Sequence, residues 1–120
     1  MSLDKVKALF YQAERDLEIS CYDKCISSSY FACRMMAELY LRGRGIRHLP
    51  RRDDKLANLL SNLGLKKEAD SLLFLYGLRK RADYGKDLSS EDEAREAVIT
   101  AKSFLRSLCG KMGLKFWIEG

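Results

Sequence analysis

Residues 65–85 read LKKEADSLLFLYGLRKRADYG and combine an apolar helical pattern with a strongly charged end. Residues at spacings of four, three and four share one helix face in this stretch: Leu65, Ala69, Leu72 and Tyr76. This periodicity predicts an α-helix with one side on the core. Arg79 and Asp83 continue the series, so two opposite charges are expected on the core-facing stripe, within reach of each other.

The charged end of this helix is the first candidate site. Gly85 offers the positive φ that commonly ends a helix. A pair of opposite charges on an inward face, beside a helix end, is either a buried structural bond or a binding site. The residues alone leave both interpretations open.

The same periodicity predicts four long helices and one short one across the chain. In chain order they cover roughly residues 2–19, Tyr22 to Leu41 or Arg42, Asp53 or Asp54 to Gly64, Lys66 to Asp83 or Tyr84, and Ser89 or Ser90 to Leu108. No stretch has the pattern of a strand.

Local signals mark the ends of these helices. Ser2 is expected to cap the first helix, and Asp53 or Asp54 the short third one, which Gly64 ends. The last helix opens with a capping box, in which Ser89 or Ser90 pairs with Asp92 or Glu93.

Short connections favour antiparallel neighbours in a helical protein. They occur here at residues 19–22, 64–66 and 85–89. We therefore predict an all-α fold, an antiparallel four-helix bundle plus one short extra helix, with residues 1–120 as a single domain. Residues 111–120 form either a docking segment or a frayed tail, with apolar side chains at Leu114, Phe116, Trp117 and Ile118.

Two helices compete for the centre of this bundle. The second is rich in small residues, which let neighbouring helices approach closely: Ser27, Ser28, Ser29, Ala32, Cys33 and Ala37. The fourth is apolar around most of its circumference, a pattern typical of a helix buried on both sides. A bundle of this size has room for one central helix, so the surplus apolar face predicts a homodimer.

Composition argues against several classes of protein. The chain has 120 residues and no apolar run near the ~20 residues that span a membrane. Its first residues mix charges and lack the apolar core of a signal peptide, so a soluble, cytoplasmic protein is expected. The cysteines (Cys21, Cys25, Cys33 and Cys109) form no CxxC pair and accompany one histidine, which favours buried thiols over zinc. No metal or cofactor is predicted.

A second candidate region lies between the second and third helices. Five arginines occur there within eleven residues, with His48 among them: Arg42, Arg44, Arg47, Arg51 and Arg52. Clustered arginines can bind phosphates through bidentate hydrogen bonds, although a solvated loop has the same composition. The weaker candidates for RNA or phosphate binding are Arg47, His48, Arg51 and Arg52.

Three stretches resemble the HEPN domain family, specifically its short single-domain prokaryotic members. Residues 13–17, AERDL, resemble the family's opening A-x-x-D-L pattern. Residues 28–32, SSYFA, are similar to its small-residue run followed by two aromatics and alanine. Residues 78–85, LRKRADYG, resemble the L-R-x-x-A-D-Y signature, the most specific of the three.

This resemblance implies a helical bundle that often dimerises. Active members are linked to RNA cleavage through an arginine followed four to six residues later by a histidine, and several act as toxins beside a small nucleotidyltransferase. Carried over, Arg79 is the arginine, and Tyr84 stands where the histidine belongs. The candidate phosphate- or RNA-binding residues are therefore Arg79, Arg81, Asp83 and Tyr84.

The tyrosine leaves proton transfer unassigned. RNA cleavage by the 2′-hydroxyl needs a group that exchanges a proton near neutral pH, and a phenol of pKa about 10 is a poor base. His48 could reach the site only if the fold or a second protomer brings its loop across. Two functions stay open: a protein that binds RNA or nucleotide phosphates, and a non-catalytic helical module for dimerisation or protein interaction.

Overall fold

A computed structural model describes residues 2–117 of the chain. They form five α-helices: α1 (Leu3–Glu18), α2 (Tyr22–Gly43), α3 (Asp53–Asn62), α4 (Lys66–Tyr84) and α5 (Glu91–Lys111). Residues 2–117 contain no strand. The predicted all-helical fold, with four long helices and a short third one, is confirmed.

Helix α2 lies at the centre of the packing. It contacts α1, α4 and α5, while α3 packs on α4. Several of its small side chains are completely buried, which allows the neighbouring helices to approach closely: Ser29, Ala32, Cys33 and Ala37. The small-residue pattern therefore predicted the central helix correctly.

Three helix ends agree with their local signals. The Ser2 hydroxyl accepts a hydrogen bond from the Lys5 amide. Ser90 and Glu93 form the reciprocal capping box of α5. Gly64 follows α3 with φ of +84°, and the Leu65 amide donates to the Leu60 carbonyl, which is the Schellman arrangement.

Two predicted helix ends are wrong. Neither Asp53 nor Asp54 caps α3, since Arg52 occupies the cap position and makes no side-chain capping bond. Asp53 instead lies in the first turn, with its carboxylate bonded to side chains of α2. Gly85 ends α4 with φ of −74°, an ordinary value, so its role is not the left-handed turn expected of it.

Helix α4 buries one face within this chain and exposes another. Leu72, Leu75 and Leu78 lie in the core, whereas Leu73 and Phe74 remain 40% and 41% exposed. A helix buried on both sides was expected from the sequence. In a single copy of the chain, the second apolar side of α4 faces outwards.

Residues 112–117, which follow α5, turn back onto the protein. Phe116 and Trp117 pack against the core, and the ammonium of Lys7 lies 5.6 Å from the centre of the Trp117 ring. Residues 116–117 therefore pack on the helices of their own chain. Ile118, predicted to share this apolar tail, lies outside the described residues.

Residues 2–117 show neither a membrane-spanning helix nor a cluster of metal ligands. None of the helices there has both the length and the apolar content that crossing a membrane requires. The same residues contain no group of three or more His, Cys, Asp or Glu side chains placed to hold a metal ion.

Candidate functional site

An ion pair at the carboxyl end of α4 forms the first part of the site. Arg79 Nε lies 2.8 Å from Asp83 Oδ2, one helical turn further along. The other oxygen of Asp83 accepts a hydrogen bond of 2.8 Å from the Ser27 hydroxyl on α2. Asp83 therefore links the end of α4 to the beginning of α2.

Two aromatic rings of α2 support the Arg79 guanidinium. Its central carbon lies 5.4 Å from the centre of the Tyr30 ring and 5.0 Å from that of Phe31. The two rings meet edge to face, with their centres 4.9 Å apart. A cation held against rings in this way is attracted by their π-electrons, which restrains the guanidinium more tightly than an exposed arginine.

The two terminal nitrogens of the same guanidinium form the third part of the site. The Arg79 side chain is 24% exposed, and its Nε is buried against Asp83. Within residues 2–117, its two terminal nitrogens make no hydrogen bond. These nitrogens are the pair that binds a phosphate or carboxylate bidentately.

The sequence predicted Arg79 and Asp83 on the core-facing stripe of α4, but the structure places them beside it. The buried series of α4 continues through Leu75, Leu78 and Ala82, and Arg79 and Asp83 lie at its border. Half-burial explains how both charges persist, since full burial would carry a large desolvation cost.

A buried polar network adjoins the aromatic rings. The Tyr30 hydroxyl donates to Asp53 Oδ1, and Arg34 Nη1 donates to the same oxygen over 3.0 Å. Arg34 also donates to the Pro50 carbonyl over 2.8 Å and pairs with Glu38. The Arg34 and Asp53 side chains are only 14% and 8% exposed.

Sequence reasoning missed this network. Its signal was present on α2, where Tyr30, Arg34 and Glu38 recur every fourth residue and so share one helix face. The partner Asp53 was assigned to a helix cap, because the course of the chain between α2 and α3 cannot be read from periodicity.

The network shifts the pKa of two of its members. Burial, together with the hydrogen bond to Asp53, raises the pKa of Tyr30 well above its usual range. Burial alone would lower the pKa of Arg34, but the bond and charge of Asp53 outweigh it and raise that pKa. At neutral pH the phenol is therefore neutral and the guanidinium charged.

Arg81 and Tyr84, the other two main candidates, are not brought to Arg79. The Arg81 side chain is 69% exposed, and its Nη2 lies 3.6 Å from Oε2 of Glu93 on α5. Tyr84 is 76% exposed, and no hydrogen bond, ion pair or ring contact in residues 2–117 joins it to Arg79. Of the four main candidates, only Arg79 and Asp83 form one constellation.

The loop candidates lie on the surface in residues 44–52, the arginine loop, which connects α2 to α3. Arg47, His48 and Arg51 are exposed. Arg52 is also exposed, and its guanidinium is occupied by both carboxylate oxygens of Asp54, at 3.1 and 2.8 Å. The loop joins the rest of the site through Pro50, whose carbonyl is held by Arg34.

This arrangement can bind an anion, and it places no histidine beside Arg79. Within residues 2–117, the ion pair and ring contacts of Arg79 are with Asp83, Tyr30 and Phe31, and none of these is the histidine that the family resemblance implies. The sole histidine of the sequence, His48, is in the arginine loop and has no contact with Arg79.

A comparison of the chain with protein-family models and with curated proteins finds no match.

Proposed function

We propose that this chain is a HEPN-like protein that binds RNA or a nucleotide phosphate at Arg79. One observation carries the proposal: a guanidinium is held against two rings while its terminal nitrogens make no hydrogen bond within residues 2–117. Such an arginine is prepared for a phosphate, because little side-chain freedom is lost on binding.

The proposed architecture is an antiparallel four-helix bundle of α1, α2, α4 and α5, with α3 as the short extra helix. Two contacts between α2 and α4 support it: Ser27 meets Asp83, and Tyr30 meets Tyr76. Residue numbers rise along α2 as they fall along α4, as expected of antiparallel neighbours.

The proposal concerns binding and assigns no catalytic group. The bases linked to cleavage in the family are histidines, and the corresponding position here is Tyr84, which is exposed and away from Arg79. Arg79 can hold a phosphate or stabilise its charge, but it cannot move a proton near neutral pH.

Two partners belong to the proposal. The exposed apolar side chains of α4, Leu73 and Phe74, support a homodimer, because a second copy could cover them. The HEPN resemblance adds a small nucleotidyltransferase as a protein partner. Whether the adjacent gene encodes such an enzyme is the simplest check of this second partner.

Replacement of Arg79 tests the binding function. We expect Arg79→Ala to weaken the binding of a fluorescein-labelled single-stranded RNA about tenfold or more, since a charge-assisted hydrogen-bond pair is lost. The measurement is fluorescence anisotropy. Arg106→Ala is the matched control, because Arg106 also lies over an aromatic ring, 5.1 Å from the centre of Phe116, but far along α5.

An alternative function is a non-catalytic module for dimerisation or protein interaction. This alternative is favoured by Asp83, which pairs with the charge of Arg79 and also accepts a hydrogen bond from Ser27 on α2. Asp83→Asn distinguishes the two functions. If Arg79 binds phosphate, this change tightens RNA binding by removing a nearby negative charge. Unchanged RNA binding in both Arg79→Ala and Asp83→Asn, with lower stability in each, would favour the interaction module.

A further inference from the structure

A continuous set of contacts connects Arg79 with the start of α3. The Arg79 guanidinium lies over the Tyr30 ring, and the hydroxyl of that ring donates to Asp53 Oδ1. Asp53 is buried and receives a second bond from Arg34, which also holds the Pro50 carbonyl. The support of the proposed binding residue thus extends beyond α2 to another helix.

Tyr30 contacts both Arg79 and Asp53, and so connects the proposed binding residue with α3. One face of its ring supports Arg79, and its centre lies 6.0 Å from that of Tyr76 on α4. A phenol ring can tilt when its hydroxyl is free, whereas a bond to a buried carboxylate restricts the tilt. The orientation of the surface under Arg79 therefore depends on Asp53.

We propose that Asp53 is a positioning residue for Arg79, acting through the ring of Tyr30. The inference rests on the proposed binding function of Arg79, which it deepens by naming what holds the guanidinium in place. Arg34 completes the arrangement, because it fixes the Asp53 carboxylate and the backbone of the arginine loop at the same time.

A purely structural role for Asp53 makes a different prediction. In that case the carboxylate only fastens the first turn of α3 to α2, and its loss lowers stability without changing the surroundings of Arg79. The two roles are separated by a signal from Arg79 itself. Its Nε–H group is buried beside Asp83 and close to two rings, so its NMR frequency reports the position of the guanidinium.

The test compares three variants with the unsubstituted protein in ¹H–¹⁵N spectra of arginine Nε–H groups. The Arg79 signal is identified by its loss in Arg79→Lys. We expect it to shift in Tyr30→Phe, which keeps the ring and removes the hydroxyl, and in Asp53→Asn. Ser107→Ala is the matched control, because it also removes a hydroxyl–carboxylate bond, the one to Glu68, but between α4 and α5.

The same variants are then titrated with the labelled RNA. Tyr30→Phe should weaken binding roughly three- to tenfold, the effect of one lost hydrogen bond, and Ser107→Ala should leave binding unchanged. An Arg79 signal that stays in place in both Tyr30→Phe and Asp53→Asn would overturn the positioning role. So would a signal that moves equally in Ser107→Ala.

Failure of the binding function gives a separate result. If Arg79→Ala binds RNA as well as the unsubstituted protein, the proposed function is wrong, and the frequency of the Arg79 signal still decides whether Asp53 positions that side chain. If Asp53→Asn fails to fold, Tyr30→Phe alone decides it, because the ring and the core packing are retained.

Discussion

Gly85, the residue that follows α4, leaves no room for a side chain against the preceding helical turn. A side-chain carbon added at Gly85 would overlap the carbonyl oxygen of Arg81, which accepts the Gly85 amide bond. At Gly77, in the middle of the same helix, an added carbon would meet nothing within 4 Å. The requirement for glycine is therefore local to the helix end and comes from close approach.

Substitution by alanine should have opposite effects at these two glycines. We expect Gly85→Ala to lower the free energy of unfolding by about 1–3 kcal/mol, the usual effect of a forced overlap. Gly77→Ala should raise it by about 0.5–1 kcal/mol, since alanine is the better helix former. Urea unfolding followed by circular dichroism measures both. A stabilising Gly85→Ala would show that the helix end adjusts freely.

The side-chain contacts of a residue could be predicted from the sequence only when its partner lay in the same helix. The Arg79–Asp83 pair follows directly from a spacing of four residues, and it forms at 2.8 Å. The Tyr30–Asp53 bond joins residues 23 apart in the sequence, across a loop whose course has no periodic signal. The aromatic support of Arg79 was missed for the same reason.

At the level of whole elements, the helix ends show which local signals prevail. Ser90 and Glu93 cap α5 as predicted: Glu93 Oε1 accepts a hydrogen bond from the Ser90 amide, and the other carboxylate oxygen remains free to pair with Arg81 at 3.6 Å. Asp53 does not cap α3, because Tyr30 and Arg34 bind its carboxylate. The bonds of Asp53 in this buried network stabilise the fold more than a helix cap would. Without them the buried guanidinium of Arg34 would be unpaired, which lowers stability more than an uncapped helix end does.

The capping box of α5 makes the stability depend on pH. The pKa of Glu93 is lowered, mainly because its carboxylate accepts a hydrogen bond from the Ser90 amide. A lowered pKa in the folded state means that the ionised carboxylate stabilises the fold. This contribution is complete above the usual pKa of 4.5 and is lost as the pH falls through the lowered value.

Glu93→Gln should isolate this effect, because glutamine can still fill the box without a charge. We expect the variant to be about 0.3–1 kcal/mol less stable at pH 7, and this difference to disappear as the pH falls through the lowered pKa of Glu93. Chemical unfolding across this range measures the difference. Glu96→Gln, beyond the first turn of α5, is the control and should show little change. A difference that persists at low pH would contradict the role of the charge.

For the molecule as a whole, the exposed apolar surface raises the question of assembly. Leu73 and Phe74 on α4 are exposed, as is Phe31 on α2 beside Arg79. Their sequence pattern suggested a second buried side, but periodicity cannot tell a neighbouring helix from another protomer. Only the folded chain reveals which apolar residues its own helices leave uncovered.

We predict that the protein is a homodimer in which α4 contributes Leu73 to the interface. Light scattering at micromolar concentration should give twice the mass of one chain. Leu73→Glu should give the mass of a single chain, because a carboxylate buried without a partner in the interface destabilises the dimer. Ile99→Glu is the control, since Ile99 is 68% exposed on α5. A monomeric mass for the unsubstituted protein would refute the dimer.

Cys21 differs from the other thiols in a way that has a practical consequence. Burial raises the pKa of Cys25 to about 11 and also raises the pKa of Cys33 and Cys109, so these three have little reactive thiolate. Cys21 is half-buried and lines a cavity of about 390 Å³ with Leu88 and Ser89, which connect α4 to α5. The chain thus carries one natural attachment point for a fluorophore or spin label beside that connection, where spectroscopy can follow a ligand without any engineered cysteine.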